Sequence, residues 1–365
     1  WRKFIMTMFD SFHPGELWPD DRGTHINAHG GCLLRHGGRI YWYGEHKVAG
    51  RAGNLAQVGV HVYVSEDFYN WRDAGIAFDV RNSGDPLLRP GCVIERPKVL
   101  FCPGTGRFVM YFHFEKDDTY QDAAVGIAVA DSPAGPFRFL RMTRPNPGVW
   151  PQNVPEELKE PGRIARTAEL LSTLSCGSNP ETPRGSVLGA CLSAGQESRD
   201  MTLFLDDDGR AYHIYSSERN STTHVAELTG DFLGYTGRYW RIFPFRWMEA
   251  PALFKHEGRY YFIGSGCTGW APNAARSAVA DSLAGPWTEL GNPAADPGGE
   301  LTYGAQSTWV EPLGDGTFLF MADIWRPEDA IDGRYLWLPV EFENGRPVLR
   351  APKEWRLPAA AMPRR

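Results

Sequence analysis

Five polar residues stand at corresponding points of a recurring pattern: His29 within Asn27-Ala-His29, Glu95, Asp200, Glu249 and Gln306. Each precedes a short apolar run that turns at Gly and returns as a run rich in aromatic or β-branched residues. The set holds three carboxylates, an amide and an imidazole. Glu249 lies among Met248, Ala250, Pro251 and Leu253, company that removes water and raises a carboxyl pKa unless a cation is near. It therefore suits a general acid. Asp200, between Arg199 and Met201, suits a second carboxylate that holds the proton on Glu249 by like-charge coupling. Glu95 is followed by Arg96 and reads as ionised and paired with it, fit to bind hydroxyls. An acid of raised pKa, with a group that directs water on the opposite face, is the apparatus that cleaves acetals such as glycosides. Taken singly, each of these carboxylates also fits a strand-entrance role, satisfying backbone amides or pairing with Arg.

These side chains are far apart in sequence, so a repeat must bring them together. The segment Val129-Ala-Asp-Ser-Pro-Ala-Gly-Pro-Phe137 returns as Val279-Ala-Asp-Ser-Leu-Ala-Gly-Pro-Trp287. Looser copies are Val64-Ser-Glu-Asp-Phe-Tyr-Asn-Trp71 and Ala226-Glu-Leu-Thr-Gly-Asp-Phe232. Each follows a strand–turn–strand hairpin. The hairpins run over Gly31–Tyr43, Lys98–Tyr111, Thr202–Tyr215, Met248–Phe262 and Ser307–Met321. Five units of about four strands predict an all-β, five-bladed β-propeller, whose innermost strands meet around one axis. The reading is one catalytic domain over residues 1–365, broken by a Pro-, Gly- and Ser-rich insertion at about 141–199 in the second unit. That insertion has one candidate helix around Glu156–Leu174 and the character of a lid or rim.

The bulk composition agrees. The chain has 365 residues with 40 Gly, 28 Pro, 13 Trp, 14 Tyr and 20 Phe, which suits many short strands and frequent turns. A net charge of −6 without a basic patch argues against nucleic acid or an anionic membrane as partner. No apolar run approaches the roughly 20 residues of a membrane span. The opening Trp1–Met6 has no signal-peptide pattern and no initiator Met, which suggests that an upstream segment has been removed. Cys176 and Cys191 share one irregular segment and are a candidate disulfide; the other four cysteines sit beside strands as small buried hydrophobes. Asp206-Asp-Asp-Gly209 lacks the spacing of a calcium loop and reads as a hairpin turn, so no metal and no cofactor is expected. Asn220-Ser-Thr222 is a glycosylation site only on a eukaryotic secretory route.

Asp200-Met-Thr-Leu-Phe-Leu-Asp-Asp-Asp-Gly209 resembles the third-blade motif of glycoside hydrolase family 43. Ile26-Asn-Ala-His-Gly-Gly31, Tyr41-Trp-Tyr-Gly-Glu45, Glu95-Arg-Pro-Lys-Val99 and Ser198-Arg-Asp-Met-Thr-Leu203 resemble its exo-β-1,3-galactanase branch. So do Glu249-Ala-Pro-Ala-Leu-Phe254, Ser265-Gly-Cys-Thr-Gly-Trp-Ala-Pro-Asn273 and Gln306-Ser-Thr-Trp309. The resemblance spans nearly the whole chain outside the insertion. It implies an inverting mechanism with Glu249 as catalytic acid and Asp200 as modulator of its pKa. Most of the family carries a catalytic-base Asp in the first blade, where this chain reads Asn27-Ala-His-Gly30. In the galactanase branch a Gln at the place of Gln306 is thought to act through its imidic-acid tautomer; His29 is the alternative base. Glu45, Tyr120, Thr268 and Trp270 fall where sugar contacts are expected, and Trp270 or Trp325 supplies a stacking platform.

The expected activity is exo-release of galactose from β-1,3-galactan, the backbone of arabinogalactan. An α-L-arabinofuranosidase or β-galactofuranosidase on the same fold is the second reading. A galactan-binding propeller without hydrolysis is the third, motivated by the missing first-blade Asp. The partner in every case is an oligo- or polysaccharide. A polymeric substrate favours an extracellular or periplasmic location.

Overall fold

A computed structural model describes residues 8–164, 181–182, 185–314 and 316–358 of the chain. Among them are five four-stranded antiparallel sheets, each in simple sequential order. The inner strands are His29–His36, Val93–Cys102, Met201–Leu205, Glu249–His256 and Gln306–Gly314. Each inner strand packs on the inner strands of the blades before and after it, and the fifth meets the first, so the ring closes. The repeats locate the blades: all four copies of the aromatic turn follow a third strand. A small two-stranded ribbon, Glu181–Thr182 with Gly185–Ser186, is the only other sheet described.

The core lies between blades rather than at the axis. Five apolar clusters occupy the five interfaces, for example Tyr43, Val62, Met110 and Phe112 between blades one and two. Ring closure falls to the interface of blades five and one, where Trp42, Trp71 and Trp337 are buried with Phe12 and Tyr335. The ends of the described chain are joined there as well, through paired backbone hydrogen bonds between Phe12 and Trp355. Trp42 and Trp337 ring centroids are 4.6 Å apart. Aromatic contacts of this kind add to the area they bury, which suits a joint that no shared strand bridges.

One local device recurs where the inner strands begin. In blades one, two and four the entrance residue is followed by a β-bulge and a left-handed backbone: Gly30 (φ 62°), Arg96 (φ 52°) and Ala250 (φ 53°). A bulge re-aims the side chain beside it and ends regular pairing. The amide freed at each bulge donates to a carboxylate of a neighbouring blade. Gly30 N donates to Asp323 Oδ2 at 3.0 Å, Arg96 N to Glu45 Oε1 at 3.0 Å and Ala250 N to Asp200 Oδ2 at 2.9 Å. Only the first needs glycine, because a Cβ there would sit 2.4 Å from Glu45 Oε1.

The insertion starts later than the sequence suggests, because Arg138–Thr143 completes blade two as its outer strand. The segment then runs along the outer strand of blade three. Tyr239 Oη donates to Val149 O at 2.6 Å, and Asn153 exchanges two hydrogen bonds with the Arg241 backbone. A 3-10 turn occupies Glu156–Lys159; most of the expected helix, and Cys176 of the expected disulfide, lie outside the described residues. Among the described residues no helix is long and apolar enough to cross a membrane.

Candidate active site

The entrance ends of the inner strands surround a cavity of about 410 Å³, within the usual range of small-ligand clefts. Its wall includes Glu45, Glu95, Tyr120, Asp200, Glu249, Trp270, Gln306 and Trp325, eight of the ten residues singled out from sequence. The other two are not in the wall. His29 is 1% exposed, stacked on Tyr335 with centroids 5.2 Å apart, and its Nδ1 lies 3.6 Å from Asp323 Oδ1. Thr268 spends its hydroxyl within its own loop, donating to Ala271 O at 2.5 Å and accepting from Asn273 Nδ2 at 2.7 Å. A larger hollow of about 690 Å³ beside blade one involves none of the entrance residues.

Glu249 behaves as its neighbours dictate. Burial, and then the charge of Asp200, push its pKa up to about 7, against smaller opposing effects of the Cys267 thiol and Arg96. Its Oε1 accepts from Asn220 Nδ2 at 3.0 Å and from Cys267 Sγ at 2.9 Å. Asp200 sits one blade away, with Oδ2 shared between Ala250 N at 2.9 Å and Arg96 Nη2 at 3.0 Å. The same carboxylate therefore braces the bulge beside Glu249 and supplies the negative charge that keeps it protonated.

Glu95 does not pair with Arg96, contrary to the reading from adjacency. The left-handed backbone at Arg96 turns its guanidinium across the cavity to Asp200, to Gln306 Oε1 at 2.6 Å and to Ser307 O at 3.1 Å. Glu95 pairs instead with His113 on the adjacent strand, Nδ1 to Oε2 at 2.8 Å, and accepts from Tyr120 Oη at 2.7 Å. Burial alone would raise Glu95; the bond and charge of His113 and the Tyr120 bond outweigh it and bring its pKa to about 2. Burial likewise pulls His113 down, but Glu95 and Glu115 on its two ring nitrogens lift it to about 9. Glu95, His113 and Asp200 bring potential metal-ligand atoms within 4.8 Å of one another. Both His113 nitrogens face carboxylates and Asp200 is ion-paired to Arg96, so each of the three already has a partner.

Gln306 is fixed at both ends. Its Oε1 accepts from Arg96 Nη2 and from Trp325 Nε1 at 2.9 Å, and its Nε2 donates to Ser265 Oγ at 2.9 Å. Arg and Trp can only donate, so the atom facing them is an acceptor. With both acceptor sites of the oxygen filled, the side chain sits as an ordinary amide. Trp325 is committed to this task, with the Arg96 guanidinium over its face at 5.5 Å. Trp270, 41% exposed and edge-on to Trp325 at 5.6 Å, is the free aromatic face at the rim. Glu45 lies under the cavity, 1% exposed, ion-paired to Lys47 at 2.8 Å while capping Arg96 N.

Sequence reasoning missed Arg96 as the link between Asp200 and Gln306, and it missed His113, Asn220 and Cys267. A signal for His113 was present: an imidazole inside Phe112-His-Phe114, one strand over from Glu95.

The family model described as "Glycosyl hydrolases family 43" matches residues 184–308. A solved β-1,3-galactosidase of that family, crystallised with galactodeoxynojirimycin, is 45% identical over 95% of this chain and 100% of its own, with a TM-score of 0.87. The chain belongs to glycoside hydrolase family 43. Within family 43 it is also similar to the exo-β-1,3-galactanase of Phanerochaete chrysosporium solved with β-1,3-galactotriose. There the identity is 28%, coverage 97% of this chain and 70% of the other, and the TM-score 0.78. A β-D-galactofuranosidase of Aspergillus niger is 34% identical over 115 residues, 30% of this chain, and the match spans only 33% of that relative's length.

Proposed function

We propose that this family 43 chain is an inverting, exo-acting hydrolase that releases galactose from the end of β-1,3-galactan. The observation that carries the reading is Glu249: a carboxyl held protonated to about pH 7 at the wall of a sugar-sized cavity that Asp200 and a fixed Gln306 also line. Glu249 gives its proton to the glycosidic oxygen as the bond breaks. Asp200 keeps that proton in place beforehand and favours the developing positive charge of an oxocarbenium-like transition state. Gln306 orients the water that attacks the opposite face. Glu95, ionised and backed by His113, and Tyr120 take up sugar hydroxyls, and Trp270 offers its face to the next ring. The galactose-type ligands of the similar structures support galactose as the sugar; arabinogalactan is proposed as the natural source of the backbone.

The test is product analysis on β-1,3-galactobiose and β-1,3-galactan, with the first anomer followed by NMR. Free galactose appearing initially as the α-anomer is expected. Initial β-anomer contradicts inversion. Arabinose released from a nitrophenyl arabinofuranoside, without action on galactobiose, favours the second reading, which is supported by the Aspergillus niger similarity and by a 27% identity to a xylosidase/arabinosidase of Thermoclostridium stercorarium over 62% of this chain. Affinity for galactan without turnover leaves the binding propeller.

A further inference from the structure

We propose that Cys267 is a positioning residue of the acid, and that together with Asn220 it confines the transferable proton of Glu249 to Oε2. The inference rests on the reading of Glu249 as the acid and deepens it. An oxygen of a carboxyl group accepts about two hydrogen bonds. Both places on Glu249 Oε1 are filled, by Asn220 Nδ2 at 3.0 Å and Cys267 Sγ at 2.9 Å. A proton on that oxygen would face two donors, so the neutral acid carries it on Oε2.

The two donors touch each other, Asn220 Nδ2 lying 3.8 Å from Cys267 Sγ, but are held by unrelated means. Asn220 ends a run of three consecutive left-handed residues, Glu218 (φ 51°), Arg219 (φ 60°) and Asn220 (φ 68°). Non-glycine residues adopt that conformation at a cost of about 1 kcal/mol each, and it persists only where surroundings enforce it. Here the Glu218 carboxylate is locked by His224 at 2.7 Å and by two bonds from Arg241 at 2.7 Å, and the Arg219 amide by Glu197 at 2.8 Å. Cys267 comes from the loop after the second strand of blade four. Its flanking Gly266 is tied to Asn273 by a 2.7 Å and a 3.1 Å bond. Cys267 lines a separate hollow behind the acid, shared with Thr268 and Asn273.

A donor to a carboxyl stabilises its ionised form, so the thiol opposes the upward push of burial and Asp200. Its removal therefore raises the pKa of the acid and moves the alkaline limb of kcat/KM upward. The test is the pH profile of galactobiose cleavage by Cys267→Ala, Cys267→Val and Cys267→Ser. The two variants without a donor should shift the alkaline limb up by about half a pH unit, while Cys267→Ser, whose hydroxyl restores the bond, should return it to the wild-type position. Limbs that coincide across wild type and both donor-less variants overturn the proposal, and so does failure of Ser to restore the limb. Titrating the Glu249 carboxyl by NMR reads the same shift in a folded variant that turns over poorly. Glu249→Gln separates the two levels. Retained activity in that variant means the acid is misassigned, whereas its loss with unmoved Cys267 limbs removes the role of the thiol alone.

Discussion

Glu95 and Glu249 occupy the same place in two repeats. Each sits at the entrance end of an inner strand, precedes a left-handed residue at a bulge and belongs to a Glu-x-Pro segment. Both line one cavity, yet their pKa values lie on opposite sides of the normal carboxyl range, at about 2 and about 7. Burial pushes both upward. The largest part of the difference is the residue opposite each on the adjacent strand, His113 for Glu95 and Ser265 for Glu249; the Tyr120 bond adds to the lowering of Glu95, and the charge of Asp200 to the raising of Glu249. The repeat thus delivers equivalent backbone positions, and their polar neighbours decide whether a carboxyl there is held as an anion or kept protonated.

The sharpest way to break the contrast is to remove the acid. Glu249→Gln keeps size and hydrogen bonding but has no proton to give, and kcat should fall about 10³-fold, with galactobiose affinity retained. In the wild type, activity should decline as pH rises through about 7, where Glu249 ionises. A third buried glutamate tests how far burial alone carries the shift. Glu311, on the inner strand of blade five, accepts from the Trp309 indole on Oε2 at 2.9 Å and feels the charge of Arg35, yet burial outweighs both and raises its pKa from 4.5 to about 7. Its folded pKa exceeds the unfolded value, so its neutral form favours folding only at low pH. Stability is lost as pH climbs from about 4.5 through about 7, by about 3 kcal/mol in all. Glu311→Gln should therefore be the more stable protein at pH 8 and indistinguishable at pH 4, as read by denaturant titration.

Gln306→Ala frees Arg96 and Trp325 of their acceptor and should cost about 10²-fold in kcat, whereas Gln306→Glu, which still accepts from both, should lose less. The smallest effect is expected from His113→Gln. Without the cation, burial and Asp200 would act on Glu95 as they act on Glu249, and KM should rise about tenfold (about 1.4 kcal/mol), with kcat changed little.

What could be read in advance followed from the repeat. Glu249, Asp200 and Gln306 were recognisable because strand entrances recur, and a ring of blades must bring such entrances together. What could not be read depends on direction rather than order. Arg96 follows Glu95 in the chain, and adjacency suggested a pair; the left-handed turn at Arg96 sends it to Asp200 and Gln306 instead. Glu45 lines the cavity from below, and its ion pair with Lys47 and its bond from the bulge amide of the next blade were not legible in sequence. Asp323, its counterpart for Gly30, drew no notice because capping of a bulge leaves no mark in a single sequence. Thr268 and His29 share the same lesson: each lies close to the cavity, and its side chain is turned to other work.

The most direct measurement is a carboxyl-carbon NMR titration of the glutamate-labelled protein, with resonances assigned through Glu249→Gln and Glu95→Gln. Glu249 should titrate with a midpoint near 7, and Glu95 should remain ionised down to about pH 3. Two ordinary midpoints near 4.5 would contradict the account, because equal environments could not make one repeat position neutral and its equivalent anionic.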